Sequence, residues 1–487
     1  MLRCYTAQQM RAAEAIALAR VGDRALMARA ARAVADAVTA RMPSPVPGRR
    51  AVLLIGAGNN GGDALYAGAT LRRRGMAVTA VLAAPDRAHP GGLAALRRAG
   101  GRSVLAGDSS VPALLTRADA VLDGLVGLGA RPPLRPPMDE LVGLAAGGEG
   151  WQIAVDLPSG VDPDTGRTDG PAFRADVTVT IGGIKTGLLL ADAWAGEIQL
   201  APIEMDPTTL VPDADGDAIV VTDADAHALL PNPAPGDDKY SQGVVGVVAG
   251  SQRYPGAAIL AVGGAVRLRP GLVRYAGPQV SAVLHRWPEV VGTTDPGEAG
   301  RVQAWVTGPG MGTDGAALAR LRTVLATQEP ALVDADGLTL LAQVPWLLAD
   351  RRRRGAVTVL TPHAGEFARL FGDLDPEDRV RSVRAAAARS GAVVLLKGHR
   401  TVIADPAGAV AINTSGSPWL ATAGSGDVLS GMAGSLLAAG LEPLLAAAVA
   451  AHLHGRAGER AAAAGRPGAS ELLERLRAHA VHPDRHQ

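Results

Sequence analysis

Apolar residues in the N-terminal half of the chain alternate between short continuous runs and longer stretches with helical spacing. Residues 7–40 carry Ala, Ile, Leu, Met and Val at helical intervals and predict helices that pack on a sheet. From residue 51 to about residue 200, the apolar runs are short enough for strands and are separated by helical stretches. The predicted strands are 51–56, 77–83, 119–123, 152–156 and 176–181, and the predicted helices are 62–74 and 91–99. This alternation favours a parallel sheet with right-handed crossovers.

The alternation stops at residues 206–238, which are rich in Asp, Pro and Ala and predict a linker near their middle, and then restarts. The later predicted strands are 244–250, 304–307, 331–334, 357–360 and 393–397, and the later helices are 256–268, 425–439 and 443–463. The predicted fold class is therefore α/β with two domains, residues 1–218 and residues 219–487.

Composition and charge narrow the class of protein. Of the 487 residues, 47% are hydrophobic and 20% are charged. The formal net charge of +1 lacks the basic excess that is typical of nucleic-acid-binding proteins. The single cysteine, Cys4, excludes an intrachain disulfide. No uninterrupted apolar segment reaches membrane-spanning length, and the charged N-terminal stretch lacks a secretory pattern, so a cytoplasmic enzyme is expected. The arginine run 351–354 predicts a solvated turn.

Lysine is rare in this chain. Of 48 basic residues only three are lysine: Lys185, Lys239 and Lys397. A chain that uses arginine almost everywhere is expected to keep lysine where a compact, titratable ammonium is needed. Lys185 and Lys397 are therefore candidate functional residues, and Lys239 is a weaker one.

A glycine-rich turn, GAGNNGGD, follows the apolar run at 51–55 and leads into a predicted helix. Such a turn brings backbone N–H groups and a helix N-terminus against an anion, usually a phosphate. Asn59, Asn60 and Asp63 add side-chain amides and oxygens that a plain dinucleotide fingerprint lacks.

Two further loops follow strands of the same predicted sheet: DGLVGLGARPP at 123–133, and VDLPSGVDPDTG, which contains Asp156 and Ser159. Strand ends of an open parallel sheet converge on one crevice, so the three loops are expected to share one ligand. Asn60, Asp123 and Ser159 form an oxygen-rich set suited to a hard monovalent or divalent cation. Asp156 is interpreted as a carboxylate for proton transfer, with capping of the next turn as the alternative, and Lys185 as a nearby positive charge or a second acid.

These three N-terminal motifs together resemble the NAD(P)H-hydrate epimerase domain, which has a Rossmann-like α/β/α sandwich and interconverts R- and S-NAD(P)HX with bound potassium. The resemblance implies that Asp156 contacts the reacting nicotinamide and that Asn60, Asp123 and Ser159 ligate potassium. Asp156 and Lys185 are therefore the candidate catalytic residues of this domain. The substrate-binding residues that it implies are Asn59, Asn60, Gly61, Gly62, Asp63, Gly127, Leu128, Gly129, Ala130, Arg131, Pro132, Pro133 and Asp156.

A second glycine turn, ATAGSGDVLSG, lies near the C-terminus and also enters a predicted helix. Glycine amides at a helix N-terminus stabilise phosphate charge, and an aspartate there can take a proton from a substrate hydroxyl. Asp427 is therefore interpreted as a general base, with a helix N-cap as the alternative. TPHAGEFARL places His363 and Glu366 at a strand-to-helix junction, and KGHRT at 397–401 follows a strand.

Together with TGPGMG and KYSQGVVGVVAGSQRYPGAA, these C-terminal motifs resemble the ribokinase-like, ADP- or ATP-dependent NAD(P)H-hydrate dehydratase domain. The resemblance implies that Asp427 deprotonates the hydroxyl of S-NAD(P)HX during phosphate transfer, with Mg²⁺ bridging the phosphates. It further implies that the hydrate faces Ala258, Gly310, His363 and Asp427. The adenine nucleotide would be held by Lys397, Gly398, His399, Arg400, Thr401 and Gly426.

With both domains matched in order, the chain resembles the bifunctional NAD(P)H-hydrate repair enzymes, whose substrates are NADHX, NADPHX and an adenine nucleotide. The alternative function is a ribokinase-like small-molecule kinase with a non-catalytic N-terminal binding module. This alternative stays open because the kinases and the dehydratases share one fold, and only the chemistry of the product distinguishes them. A homo-oligomer with no nucleic-acid or membrane partner is expected. The sequence leaves open whether ADP or ATP is used.

Overall fold

The computed structural model describes residues 1–129, 131–210 and 216–479, and the side chains of Thr209 and of residues 477–479 are not described. The chain divides into two compact units. The N-terminal unit is Arg3–Ala218, and the C-terminal unit comprises Ile219–Gln487 together with Met1–Leu2. None of the helices in the described ranges combines the length and apolarity that a bilayer crossing requires.

Strands and helices alternate through most of the N-terminal unit. The strands are β1 (Leu2–Tyr5), β2 (Arg50–Ile55), β3 (Ala77–Leu82), β4 (Arg102–Leu105), β5 (Ala120–Gly124), β6 (Trp151–Val155), β7 (Val177–Ile181), β8 (Ile184–Lys185) and β9 (Glu197–Ala201). The helices are α1 (Ala7–Val21), α2 (Asp23–Arg41), α3 (Asn59–Arg73), α4 (Pro90–Arg98), α5 (Val111–Thr116), α6 (Met138–Ala145), α7 (Thr186–Leu190), α8 (Asp192–Ala195) and α9 (Pro207–Leu210).

The main N-terminal sheet is parallel, with strand order β4-β3-β2-β5-β6-β7-β9. Chain order runs outward in both directions from β2 and β5, so the crevice beyond their carboxyl ends is a topological switch point. The two loops that leave these strands approach closely: a Cβ on Gly56 would lie 1.7 Å from the Leu125 carbonyl oxygen. Only glycine fits there, which explains the glycine directly after β2.

The C-terminal unit repeats the alternation with longer helices. Its strands are β10 (Ala218–Val220), β11 (Val244–Val248), β12 (Leu272–Ala276), β13 (Val291–Thr293), β14 (Ala304–Thr307), β15 (Ala331–Val333), β16 (Thr358–Leu360), β17 (Val393–Leu396), β18 (Thr401–Ala404) and β19 (Val410–Asn413). Its helices are α10 (Asp223–Leu229), α11 (Pro255–Arg267), α12 (Val280–Arg286), α13 (Gly315–Ala326), α14 (Asp336–Gln343), α15 (Trp346–Arg353), α16 (Ala364–Leu370), α17 (Arg379–Ser390), α18 (Ser425–Ala438), α19 (Pro443–Ala463) and α20 (Ala469–His479).

Strands β13-β12-β11-β14-β15-β16-β17 pair in parallel in that order, and the sheet continues through an antiparallel hairpin, β18 and β19. The core helix α18 is buried along nearly its whole length because small residues face its neighbours. A Cβ on Gly431 would lie 1.9 Å from the Ala261 carbonyl oxygen of α11. This close packing holds the first turn of α18, and so the second glycine turn, at a fixed place beside the sheet.

The predicted fold class, two α/β domains with parallel sheets, is confirmed, but the structure differs locally from the sequence prediction. The helix predicted at 62–74 begins at Asn59, so the NNGGD segment forms its first turn. The hairpin β18–β19 is not predicted, because two short runs around a turn resemble a loop.

The prediction of a solvated turn at 351–354 is wrong for Arg351, although Arg352 and Arg353 are exposed. Arg351 lies in the last turn of α15 and is 0% exposed. Its guanidinium donates to the carbonyl oxygens of Leu325, Thr327, Glu329 and Val357, and its Nε donates to Thr358 Oγ1. Five donors in a rigid fork can satisfy these five acceptors at once, whereas lysine has only three donors. Arg351 therefore ties the C-terminus of α13 to the strand β16.

Candidate active sites

A cavity of about 780 Å³ lies at the switch point of the N-terminal sheet. It receives side chains from the glycine turn, from the loop after β5 and from helix α1. Among the residues that line it are Arg11, Glu14, Asp23, Asn59, Asn60, Asp63, Arg87, Gly127, Leu128, Gly129, Asp156 and Lys185. The structure therefore brings together most of the predicted epimerase residues.

Asp156 and Lys185 form a buried ion pair in this cavity. Asp156 has a positive φ of 69°, an uncommon conformation for a residue other than glycine, and its Oδ1 accepts from Lys185 Nζ and from the Ile181 amide (2.9 Å). The carboxylate therefore reaches the neighbouring strand and does not cap its own turn. Lys185 Nζ also donates to Thr180 Oγ1 and to the Ile181 carbonyl, both at 3.1 Å, so its three N–H groups are engaged.

Additional carboxylates surround this pair. Burial raises the pKa of Asp63 well above its usual range, and the charges of Asp156, Glu14 and Asp23 raise it further. Burial and Asp156 likewise raise the pKa of Glu14, although a hydrogen bond from Asn59 opposes the shift. Sequence reasoning missed Glu14, although it stands beside the buried Ala13 on α1, where a carboxylate is unusual.

The loop predicted to bind substrate at 127–133 is only partly in the cavity. Gly127, Leu128 and Gly129 line it, whereas Arg131 pairs with Asp162 (2.6 Å) and Asp164 (2.9 Å). Pro132 and Pro133 are not among the lining residues, and Ala130 lies outside the described residues. Gly61 and Gly62 are buried within α3, where they allow close packing.

Two of the three predicted cation ligands, Asp123 and Ser159, are in direct contact, and Asn60 reaches them through Val126, whose amide donates to Ser159 Oγ at 3.2 Å. Asp123 is fully buried and accepts hydrogen bonds from Ser159 N (2.7 Å), Ser159 Oγ (2.7 Å) and Leu125 N (3.1 Å). Asn60 Nδ2 donates to the Val126 carbonyl at 2.7 Å. Burial raises the pKa of Asp123 to about 6, although the hydrogen bonds from Ser159 and Leu125 oppose this shift. A buried carboxylate held by neutral donors is suited to a cation.

In the C-terminal unit, the glycine turn presents Asp427 in the first turn of α18. The N-cap residue is Gly424, with a positive φ of 86°, so Asp427 is not the N-cap. Burial raises the pKa of Asp427 to about 7, and the charges of Asp334 and Asp336 add to this shift while Lys397 opposes it. A carboxylate with this pKa is matched to general-base work near neutral pH.

Lys397 follows β17 and lies among carboxylates. Its Nζ is 2.7 Å from Asp334 Oδ1 and 3.9 Å from Glu366 Oε2. Burial lowers the pKa of Lys397, but the charges of Asp334, Glu366 and Asp427 outweigh it, and the net shift is upward. Lys397 is therefore held as a cation. Sequence reasoning missed Asp334, although an aspartate directly after a buried strand is a usual position for a functional side chain.

A cavity of about 630 Å³ lies beside the glycine turn. Of the predicted nucleotide-binding residues, those that line it are Lys397, Gly398, His399, Thr401 and Gly426. Arg400 is not among the lining residues and donates to the Thr414 carbonyl. His454 also lines the cavity, and sequence reasoning missed it. Burial lowers the pKa of His454 to about 4, and its Nε2 lies 2.9 Å from the Ser425 carbonyl oxygen, so a neutral imidazole supports the turn.

The predicted hydrate-facing residues lie on separate elements of the C-terminal unit, and Asp427 is in the first turn of α18. His363 caps α16, where its Nδ1 accepts from the amides of Gly365 (3.0 Å) and Glu366 (3.3 Å), and it also lines the cavity. Ala258 is buried in α11. Gly310 lies against the start of that helix, since a Cβ there would be 2.6 Å from Ala257 Cβ.

The two units match separate family models. Residues 23–187 match the YjeF-related protein N-terminus, and residues 245–477 match NAD(P)H-hydrate dehydratase. Over 485 residues the chain is 48% identical to the bifunctional NAD(P)H-hydrate repair enzyme of Mycobacterium leprae, covering 98% of this chain and 99% of that protein. The chain belongs to the bifunctional NAD(P)H-hydrate repair enzyme family.

Another bifunctional NAD(P)H-hydrate repair enzyme, from Corynebacterium glutamicum, is 38% identical over 477 residues, covering 84% of this chain and 82% of its own. A crystal structure of ADP/ATP-dependent NAD(P)H-hydrate dehydratase from Bacillus subtilis, co-crystallised with ATP and Mg²⁺, is 26% identical. It covers 54% of this chain and 98% of its own, with a TM-score of 0.47.

Membership of the repair enzyme family confirms that the chain is an enzyme with two different α/β domains. The matched ranges contain Asp63, Asp156 and Lys185 in the first unit, and Lys397 and Asp427 in the second. Glu14 stands outside the matched range, on a helix that precedes it.

Proposed function

We propose that this chain repairs hydrated NAD(P)H by two reactions, epimerisation of R- and S-NAD(P)HX in the N-terminal unit and nucleotide-dependent dehydration of S-NAD(P)HX in the C-terminal unit. The observation that carries the proposal is the presence, in each family-matched unit, of a cavity beside a carboxylate suited to proton transfer. An N-terminal unit that only bound a partner would not need a buried ion pair in its cavity.

In the epimerase site, Asp156 moves the proton at the reacting nicotinamide. Its Oδ1 is held by Lys185 and the Ile181 amide, and Oδ2 is assigned to the substrate. Lys185 serves as the fixed positive charge that orients this carboxylate, because its N–H groups are engaged by the protein. The glycine turn and residues 127–129 hold the phosphate-bearing part of the substrate.

In the dehydratase site, Asp427 takes the proton of the hydrate hydroxyl while the hydroxyl oxygen attacks the terminal phosphorus of ADP or ATP. The bridging P–O bond breaks, and AMP or ADP leaves with the electron pair of that bond. Loss of phosphate with its bonding electron pair, and of a proton from the adjacent ring carbon, then restores the double bond of NAD(P)H. Lys397 and the turn at Gly426 stabilise the transferred phosphoryl charge. Mg²⁺, when bound, would supply positive charge that offsets the negative charge of the nucleotide phosphates.

The function is tested by measuring the absorbance of reduced nicotinamide while the protein is incubated with mixed R- and S-NADPHX, ADP or ATP, and Mg²⁺. We expect complete recovery of NADPH and release of free phosphate. Recovery that stops at the S fraction, where spontaneous epimerisation is slow, would contradict an active epimerase. Accumulation of a phosphorylated product in place of NADPH would indicate the kinase.

A potassium ion in the N-terminal unit is a further part of this proposal. Asp123, Ser159 and Asn60 supply carboxylate, hydroxyl and amide oxygens, and a cation would offset the buried charge of Asp123. Because protons compete with the cation, its affinity should fall as the pH drops below about 6. A cytoplasmic location and a homo-oligomer stay predictions.

Replacing choline with K⁺ in the buffer should raise the melting temperature of the N-terminal unit and its epimerase rate. Asp123→Asn should lose both responses, because the amide brings no negative charge. Ser159→Ala is the matched control: it removes a neutral hydroxyl, keeps the carboxylate, and should retain a weaker response. Differential scanning calorimetry measures the first effect, and an unchanged K⁺ response in Asp123→Asn would overturn the assignment.

A further inference from the structure

A buried carboxylate lies beneath the glycine turn of the C-terminal site. Asp334 follows β15 and is 1% exposed. Its Oδ1 accepts from Lys397 Nζ at 2.7 Å, and its Oδ2 accepts from the Ser430 hydroxyl, on α18, also at 2.7 Å. Asp334 thereby connects the loop after β17 with the helix that carries Asp427.

Gly426 lies over this connection. A Cβ on Gly426 would be 3.4 Å from Lys397 Nζ and 3.8 Å from Asp334 Oδ2. Gly426 and Lys397 both line the cavity, whereas Asp334 is not among the lining residues. The Asp334 carboxylate therefore contacts the Lys397 ammonium from outside the cavity, and the Lys397 ammonium can contact a ligand inside it.

We propose that Asp334 is a positioning residue of the dehydratase reaction, which holds Lys397 Nζ beneath Gly426 and away from Asp427. The inference rests on the proposed dehydratase function. The ammonium then attracts the transferred phosphoryl group, and the Asp427 carboxylate stays available to the substrate hydroxyl. Without Asp334, Lys397 would be left buried beside Glu366 and Asp427, and pairing with Asp427 would weaken the base.

Several elements contribute ionisable groups around Asp427 and Lys397. These groups are Asp334 after β15, Asp336 on α14, Glu366 on α16, Lys397 after β17 and His454 on α19. Burial raises the pKa of Asp427 most, Asp334 raises it further, and Lys397 lowers it. The two partners of the Asp334–Lys397 pair therefore act on the base with opposite signs.

The opposite effects of Asp334 and Lys397 on the pKa of Asp427 can be tested by replacing each residue in turn. In the full-length chain, Asp334→Asn removes a negative charge near Asp427, so the acid limb of kcat/KM for dehydration should move to lower pH by on the order of one unit. Lys397→Met removes a positive charge, so the acid limb of its residual activity should move to higher pH. The KM for the nucleotide should rise in both variants, because the ammonium is displaced in one and absent in the other.

Two controls separate this role from a merely structural one. Ser430→Ala removes one hydrogen bond to Asp334 but no charge, so its acid limb should stay at the wild-type pH whatever its rate. The thermal melting transition of the C-terminal unit reports whether each substituted protein is folded. If Asp334→Asn is too unstable to assay, the direction of the shift in Lys397→Met decides.

An acid limb that moves the same way in both charge variants, or in neither, would overturn the inference. The failure of the proposed function would look different, because the wild-type protein itself would then form no NADPH.

Discussion

Replacing Asp427 with asparagine should lower the dehydration rate of S-NADPHX by about a thousandfold, the usual contribution of a general base. Asparagine keeps the size of the side chain in the first turn of α18 but cannot accept a proton. The wild-type rate should fall as the pH drops below about 7, because burial raises the pKa of Asp427 to that value and protonation removes the base. Stopped-flow absorbance of reduced nicotinamide, recorded from pH 5 to pH 9, measures both effects.

Epimerisation of R- and S-NADPHX by the same variant is the internal control and should stay at the wild-type rate. Retention of more than about a tenth of the dehydratase activity would mean that the turn and helix dipole, without the side chain, account for catalysis. Loss of both activities in a folded Asp427→Asn protein would contradict two independent sites.

Much of the fold follows from the sequence because its strands are short buried runs. The predicted helix at 443–463 has the bounds of α19, and the strand at 304–307 those of β14. The hairpin of β18 and β19 is missed because the turn residues at 405–409 separate two short runs that together resemble one loop. Whether such a segment forms a hairpin or a loop depends on its pairing with β17, which the local sequence pattern does not encode.

The site is predictable only where a motif carries it. Asp427 and Asp156 lie in glycine-containing loops of recognisable chemistry, so the sequence identifies them. Asp334 and Glu14 are not identified, because their significance comes from partners far along the chain. Asp334 meets Lys397, 63 residues away, and Glu14 meets Asn59 and the charge of Asp156. The error at Arg351 has the same origin, since its carbonyl partners lie on other elements.

Replacing Asp156 with asparagine should lower epimerisation by about a thousandfold and leave dehydration of the S form unchanged. Recovery of NADPH from mixed R- and S-NADPHX should then stop at the S fraction. Because asparagine leaves the Lys185 ammonium buried without its counter-charge, we also expect a loss of about 3 kcal/mol from the unfolding free energy of the N-terminal unit.

The double variant Asp156→Asn/Lys185→Met removes both charges and so separates catalysis from stability. It should recover part of the stability lost in the single variant, because no unpaired ion stays buried, and it should recover none of the epimerase rate. Chemical denaturation and the absorbance assay measure the two quantities on the same preparations. An Asp156→Asn protein that is folded and epimerises at the wild-type rate would reduce Asp156 to the counter-ion of Lys185. The proton at the nicotinamide would then have to be moved by another carboxylate of the cavity, and Asp63 and Glu14, whose pKa values are both raised, would be the groups to replace next.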